Sequence, residues 1–180
     1  MIGILSVNKL LITYHALTLL FLAGFALYDK RHHRIRNAAL LAFLPWCLLS
    51  LPAAAYACPG AAFPEAVLHS VLGSLSGFLL LLSVSLATDG GIGGGDIKLA
   101  ALLGIPFGAS GLMAALALSC FFALLHLGIR RACKRKAPGN IPFAPYLFFG
   151  CLAVTLMLRP IFYDLQLPWL IVADLPDIMT

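Results

Sequence analysis

Charge is scarce in this chain. Only 11% of its 180 residues are Asp, Glu, Lys or Arg, and just seven are acidic. A soluble domain of this size needs far more polar surface to cover its core, so a water-soluble globular fold is excluded. Paired thiols are missing as well. The five cysteines, Cys47, Cys58, Cys120, Cys133 and Cys151, form no C-x-x-C pair, which removes the usual zinc and thiol-redox motifs. Most lie in apolar stretches, where a free cysteine is a small hydrophobe. His15, His69 and His126 stand alone in apolar segments and are assigned to helix packing. No Ser/His/Asp or Cys/His arrangement, internal repeat or low-complexity linker is present. No metal or cofactor is expected.

What the chain has in abundance is hydrophobic sequence, 62% of all residues, with a mean hydropathy of +1.00. A bilayer core of about 30 Å needs roughly 20 apolar residues per helix. Such stretches fall at about 10–28, 38–56, 66–88, 109–129 and 143–158. A shorter one, 97–105, is ended by Pro106 and Gly108. The expected fold is therefore all-α, a polytopic membrane bundle of about six transmembrane helices forming a single domain over residues 1–180. The tail from Arg159 to Thr180, broken by Pro160, Pro168 and Pro176, is expected at the interface or outside.

The net charge of +5 is no nucleic-acid footprint, because most of the basic residues sit in two clusters between apolar segments, Lys30–Arg36 and Arg130–Lys136. Basic loops of this kind set topology and meet anionic headgroups. Lys9 alone precedes the first span, so the N-terminus is expected outside. Six crossings then put both basic clusters, and residues 89–96, in the cytoplasm. That parity depends on counting 97–105 as a crossing.

Two of the scarce acids stand out by position. Asp29 lies where the first span meets the cytoplasm. Asp96 closes the run Gly90-Gly91-Ile92-Gly93-Gly94-Gly95-Asp96 and opens the next helix, at the same face. A carboxylate in a membrane span costs about 2.5–3.5 kcal/mol on insertion scales, which favours a functional reason for its presence. Two carboxyl groups a few ångströms apart share a proton and titrate as a unit, the arrangement by which paired-carboxylate hydrolases activate water and polarise a carbonyl. Glycines lack a Cβ and permit close approach of another backbone, so a peptide laid on Gly93, Gly94 and Gly95 would reach Asp96. Other roles for the same residues are an Asp29 pair with Arg31 or Arg34, a helix N-cap at Asp96, and a Gly-rich turn. Lys98 is assigned a structural role, near the acidic centre or reaching to the headgroups. Asp89 is read as a cap or topology charge, and His32 and His33 as part of an interfacial loop.

Gly93-Gly94-Gly95-Asp96-Ile97-Lys98-Leu99 resembles the Gly-x-Gly-Asp-x-Lys-Leu signature of the type IV prepilin leader peptidases. Tyr28-Asp29-Lys30-Arg31-His32-His33-Arg34-Ile35-Arg36-Asn37 is similar to their first aspartate motif, with Arg36 in place of its proline. Ile141-Pro142-Phe143-Ala144-Pro145-Tyr146 resembles a third family segment. The resemblance implies an aspartic endopeptidase of the inner membrane with Asp29 and Asp96 as its catalytic pair. Its substrate would be the basic leader of prepilins or pilin-like secretion subunits, cut at the cytoplasmic face. Long members carry an N-terminal insert with C-x-x-C pairs and methylate the new N-terminus. Asp29 is too near the start for that insert, so the resemblance is to the short members and does not carry methyl transfer over to this chain.

Two other classes fit the same acids. A small proton- or cation-linked transporter would use them as carriers, although both lie at one face and away from the midplane. A non-catalytic assembly factor would bind pilin helices without cutting them.

Overall fold

In hydrocarbon no water is available to the backbone, so each N–H and C=O must be bonded within its own segment, and a helix does this. The computed structural model describes residues 2–32, 35–51, 63–88, 91–133 and 143–158. Every regular element among them is helical: α1 (Ile2–His32), α2 (Asn37–Leu48), α3 (Phe63–Ala87), α4 (Gly94–Ala132) and α5 (Ala144–Ala153), the last continued by a π-helical turn, Val154–Leu158. The all-α expectation holds. The expected tail lies outside the described residues, as do residues 52–62.

α1 starts earlier than the apolar run that announced it and ends with Lys30, Arg31 and His32 in its last turn, where cations complement the negative end of the helix dipole. α2 covers the first part of the apolar stretch 38–56, and residues 52–56 of that stretch lie outside the described residues. Its 12 residues reach only about 18 Å. Pro45 sits inside it and donates no backbone N–H. Carbonyls at the C-terminal end of α2 find partners inside the protein. Tyr14 Oη donates to Trp46 O at 3.0 Å and Ser50 Oγ donates to Cys47 O at 2.7 Å. Trp46 Nε1 in turn donates to Thr18 Oγ1 at 3.0 Å, and the Tyr14 and Trp46 rings stack at 5.2 Å. This network joins α1 to α2 by polar contacts, which hold well where water cannot compete.

α3 and α4 meet through glycines. A Cβ on Gly73 would collide with the Gly104 carbonyl oxygen, and one on Gly104 would collide with the Gly73 backbone. Small residues of this kind let membrane helices approach closely and gain dispersion contacts. The expected short stretch 97–105 is continuous with the glycine-rich segment before it, since α4 already begins at Gly94. The break comes at Gly108, whose φ of 66° and ψ of 178° belong to a region open essentially to glycine alone. Pro106 lies just before it and removes one more helical hydrogen bond. The two arms of α4, 94–107 and 109–132, therefore meet at a kink. α5 packs on α4 and on α1, and α2 packs on α4. Gly150 of α5 is pressed against Ala115 O and Ser119 Oγ of α4, leaving no room for a side chain.

The core contains fully buried Leu22, Phe43, Leu99, Leu103, Leu112 and Leu147. The exterior is apolar too: Leu20, Leu41, Leu86, Leu124 and Leu156 are each about two-thirds exposed or more. An outer surface like this is matched to lipid. Among the described residues, Val67–Ala87 and Gly94–Arg130 are long and apolar enough to cross a membrane, while Asn37–Leu48 and Ala144–Leu156 are shorter apolar helices.

Candidate active site

The two singled-out acids come from elements far apart in sequence. Asp29 is in the last turn-and-a-half of α1 and is only 4% exposed. Asp96 is the third residue of α4. The bundle brings them together, close enough for the charge of Asp29 to act on the Asp96 carboxyl group. Asp96 Oδ1 is buried and accepts no hydrogen bond among the described residues.

Local chemistry explains how Asp96 is held. Its N–H donates to Gly93 O at 3.0 Å, and the Ile97 N–H reaches the same carbonyl at 3.3 Å. Asp96 thus lies within the first turn, where the free N–H groups and the helix dipole favour negative charge. It does not occupy the N-cap, which precedes the helix at Gly93. The loop before it is tied to the end of α3: Ser85 Oγ donates to Ile92 O at 3.1 Å, and Gly91 N donates to Thr88 Oγ1 at 3.2 Å.

The three motif glycines have different surroundings. A Cβ on Gly94 would meet nothing within 4 Å, and one on Gly93 would meet only Asp96 Oδ2 at 3.5 Å. That side of the loop is open beside the Asp96 carboxyl group. Gly95 is closed off, because a Cβ there would sit 2.9 Å from Ile35 Cβ. Lys98 does not reach free to the headgroups. Its Nζ donates to Asn37 Oδ1 at 3.1 Å, joining the first turn of α4 to the first residue of α2. Asn37 and Ile35 lie in the Asp29 motif, yet their contacts to the Asp96 motif were not singled out from the sequence. The available signal was that both motifs carry a polar or branched residue at a short, fixed distance from their aspartate.

The remaining sequence candidates are placed as follows. His32 turns back on its own helix, with Nδ1 near Tyr28 O at 3.2 Å and its ring stacked on Tyr28 at 4.3 Å. His126 has an exposed face, and its helix-packing role takes the form of a polar contact: its Nδ1 hydrogen-bonds the Tyr146 hydroxyl across α4 and α5. His33, Arg34 and Asp89 lie outside the described residues. Among the described residues no group of three or more His, Cys, Asp or Glu is arranged to hold a metal ion.

The profile of the type IV leader peptidase family matches residues 16–128, a stretch that contains both aspartates and the loops that hold them. The chain belongs to this family. Among curated proteins, the prepilin leader peptidase/N-methyltransferase of Bacillus subtilis (strain 168) is 34% identical over 126 residues, which is 69% of this chain and 48% of that protein. This leader-peptidase-family chain thus spans about half the length of the curated relative it matches. No solved structure matches it. The third motif, 141–146, falls beyond the matched region. Its described part opens α5, with Pro145 in the first turn and Ala144 and Leu147 buried in the core.

Proposed function

We propose that this chain is a membrane-embedded aspartic endopeptidase that removes the basic leader of prepilins or pilin-like secretion subunits. Asp29 and Asp96 are its catalytic pair, working at the cytoplasmic face of a multi-pass bundle of about six crossings in the inner membrane. The observation that carries this proposal is the convergence of the two carboxyl groups at one end of the bundle, in a chain of the type IV leader peptidase family.

The chemistry follows from the coupling. Two carboxyl groups within electrostatic reach hold one proton between them more easily than they lose both. The ionised member takes a proton from water, and the water oxygen attacks the scissile carbonyl carbon. The protonated member gives its proton to the developing oxyanion. Collapse of the tetrahedral intermediate breaks the C–N bond and delivers a proton to the leaving amine. Which aspartate starts as base is left open by the shared proton. Gly93 and Gly94, open beside Asp96, are the surface on which the substrate backbone would lie. Gly95 and Lys98 belong to the same motif but face the α1–α2 link.

The test is co-expression with a prepilin carrying its leader, repeated with Asp29→Asn and Asp96→Asn at equal membrane levels. Leader loss with the wild type and none with either variant supports the proposal. Persistent cleavage in both variants removes the paired-aspartate mechanism. If no version cleaves, ion flux in proteoliposomes would identify a transporter, and capture of intact pilin an assembly factor.

A further inference from the structure

The two aspartates sit on different helices, and neither helix by itself fixes the distance between them. α5, packed on both α1 and α4, sets their general placement, and the local contacts beside Asp96 come from Ile35 and Asn37, shortly after α1. Ile35, half-buried, rests against Gly95, one residue before Asp96, at a distance that excludes any side chain on the glycine. Two residues further on, Asn37 accepts a hydrogen bond from Lys98, two residues after Asp96. The link thus grips the first turn of α4 on both sides of Asp96. One contact is steric and the other is charge-assisted, the stronger type of hydrogen bond.

We propose that this clasp registers Asp96 against Asp29, and that Lys98 and Gly95 are positioning residues acting through Asn37 and Ile35, with no contact to the substrate. The proposal rests on the peptidase reading and adds to it which residues set the carboxylate geometry. Displacement of a reacting group by about 1 Å can cost on the order of a hundredfold in rate. A clasp of this kind therefore shows in turnover, while substrate affinity, set elsewhere on the open face of the loop, stays as it was.

The kinetic test uses the full chain in membranes and a reporter fusion with a basic leader ahead of an apolar helix. Lys98→Met and Asn37→Leu should each lower kcat by about tenfold to a hundredfold with KM unchanged, and the double variant should be no worse than either single one. Asn37→Asp, which keeps an acceptor for Lys98, should retain activity. Gly95→Ala should lose activity, and adding Ile35→Gly, which removes the opposing Cβ, should restore much of it. A rise in KM with kcat intact would place Lys98 on the substrate and overturn the clasp, as would additive losses or failure of the Ile35→Gly rescue.

A second measurement needs no cleavage and so separates failure of the clasp from failure of the peptidase reading. In a chain with its native cysteines replaced, Asp29→Cys and Asp96→Cys are joined by a short bis-thiol reagent. Cross-linking that falls several-fold on adding Lys98→Met supports the clasp. Cross-linking that is unchanged by Lys98→Met overturns it, whatever the wild type does to the reporter.

Discussion

Gly73 of α3 and Gly104 of α4 touch backbone to backbone, so that a Cβ on either would overlap the other's main chain. Backbone cannot step aside as a flexible side-chain end can. Gly73→Ala and Gly104→Ala should therefore destabilise the bundle by about 1–3 kcal/mol or more. Gly24→Ala, where a Cβ meets nothing within 4 Å, should be neutral or slightly stabilising, since alanine is the better helix former. Thermal unfolding in detergent at equal protein concentration checks all three. Equal melting temperatures for the Gly73 and Gly24 variants would contradict the close crossing.

Gly150 makes the matching prediction for α5. A side chain there would collide with Ala115 O and Ser119 Oγ. Gly150→Val should loosen α5 from α4, reduce the folded yield, and raise protease sensitivity near residue 143. Limited proteolysis of membranes carrying each variant reads this directly.

The polar network between α1 and α2 is remote from the aspartates in sequence and bonding. Tyr14→Phe removes the donor to Trp46 O and keeps the ring stacked on Trp46. Trp46 O keeps the Leu49 N–H at 3.2 Å, so the loss is that of one net hydrogen bond, about 0.5–1.5 kcal/mol. The expected outcome is a lower unfolding temperature with kcat and KM close to wild type for the folded fraction.

For the aspartates themselves, Asp29→Asn and Asp96→Asn should each lower the cleavage rate by about 10²–10⁴-fold, the usual contribution of a positioned acid or base. Far-UV circular dichroism and melting should remain near wild type, because an amide has almost the same shape. A variant that cleaves at more than a tenth of the wild-type rate would exclude its aspartate from the chemistry.

A proton shared by Asp29 and Asp96, as proposed, would set the pH dependence of cleavage. At low pH both carboxyl groups are protonated and no base remains. At high pH both are ionised and no acid remains. Activity should follow a bell, with limbs belonging to the pair and not to one residue. Because the Asp29 charge acts on Asp96, removing it in Asp29→Asn should shift the alkaline limb as well as lower its height. A profile flat across both limbs would contradict a carboxylate pair.

The two acids of the candidate site were legible because their signals are local. Asp96 stands directly after a run of glycines, and Asp29 stands directly before a basic cluster, so each was conspicuous in a chain with seven acids. The sequence gives Lys98 a structural role with a choice between acid and headgroup, because its partner Asn37 is 61 residues away and no periodicity links the two. His126 shows the same limit: an apolar run assigns it to helix packing and does not name its partner Tyr146, 20 residues away on the next helix. Hydropathy runs on past Leu48 and does not reveal the turn at Leu49 that ends α2, beyond which Ser50 and Leu51 are again helical.

The sequence by itself determined the apolar, all-helical character of the chain and the two acids worth watching. Composition and apolar run length are sums over neighbours, and they need no knowledge of packing. Only the tertiary structure decided that Gly108 breaks α4, that Gly73 meets Gly104, and that Ile35 and Asn37 close around Asp96. Those facts depend on which helix faces are pressed together, and close contacts between backbones are specified jointly by residues that local pattern cannot pair.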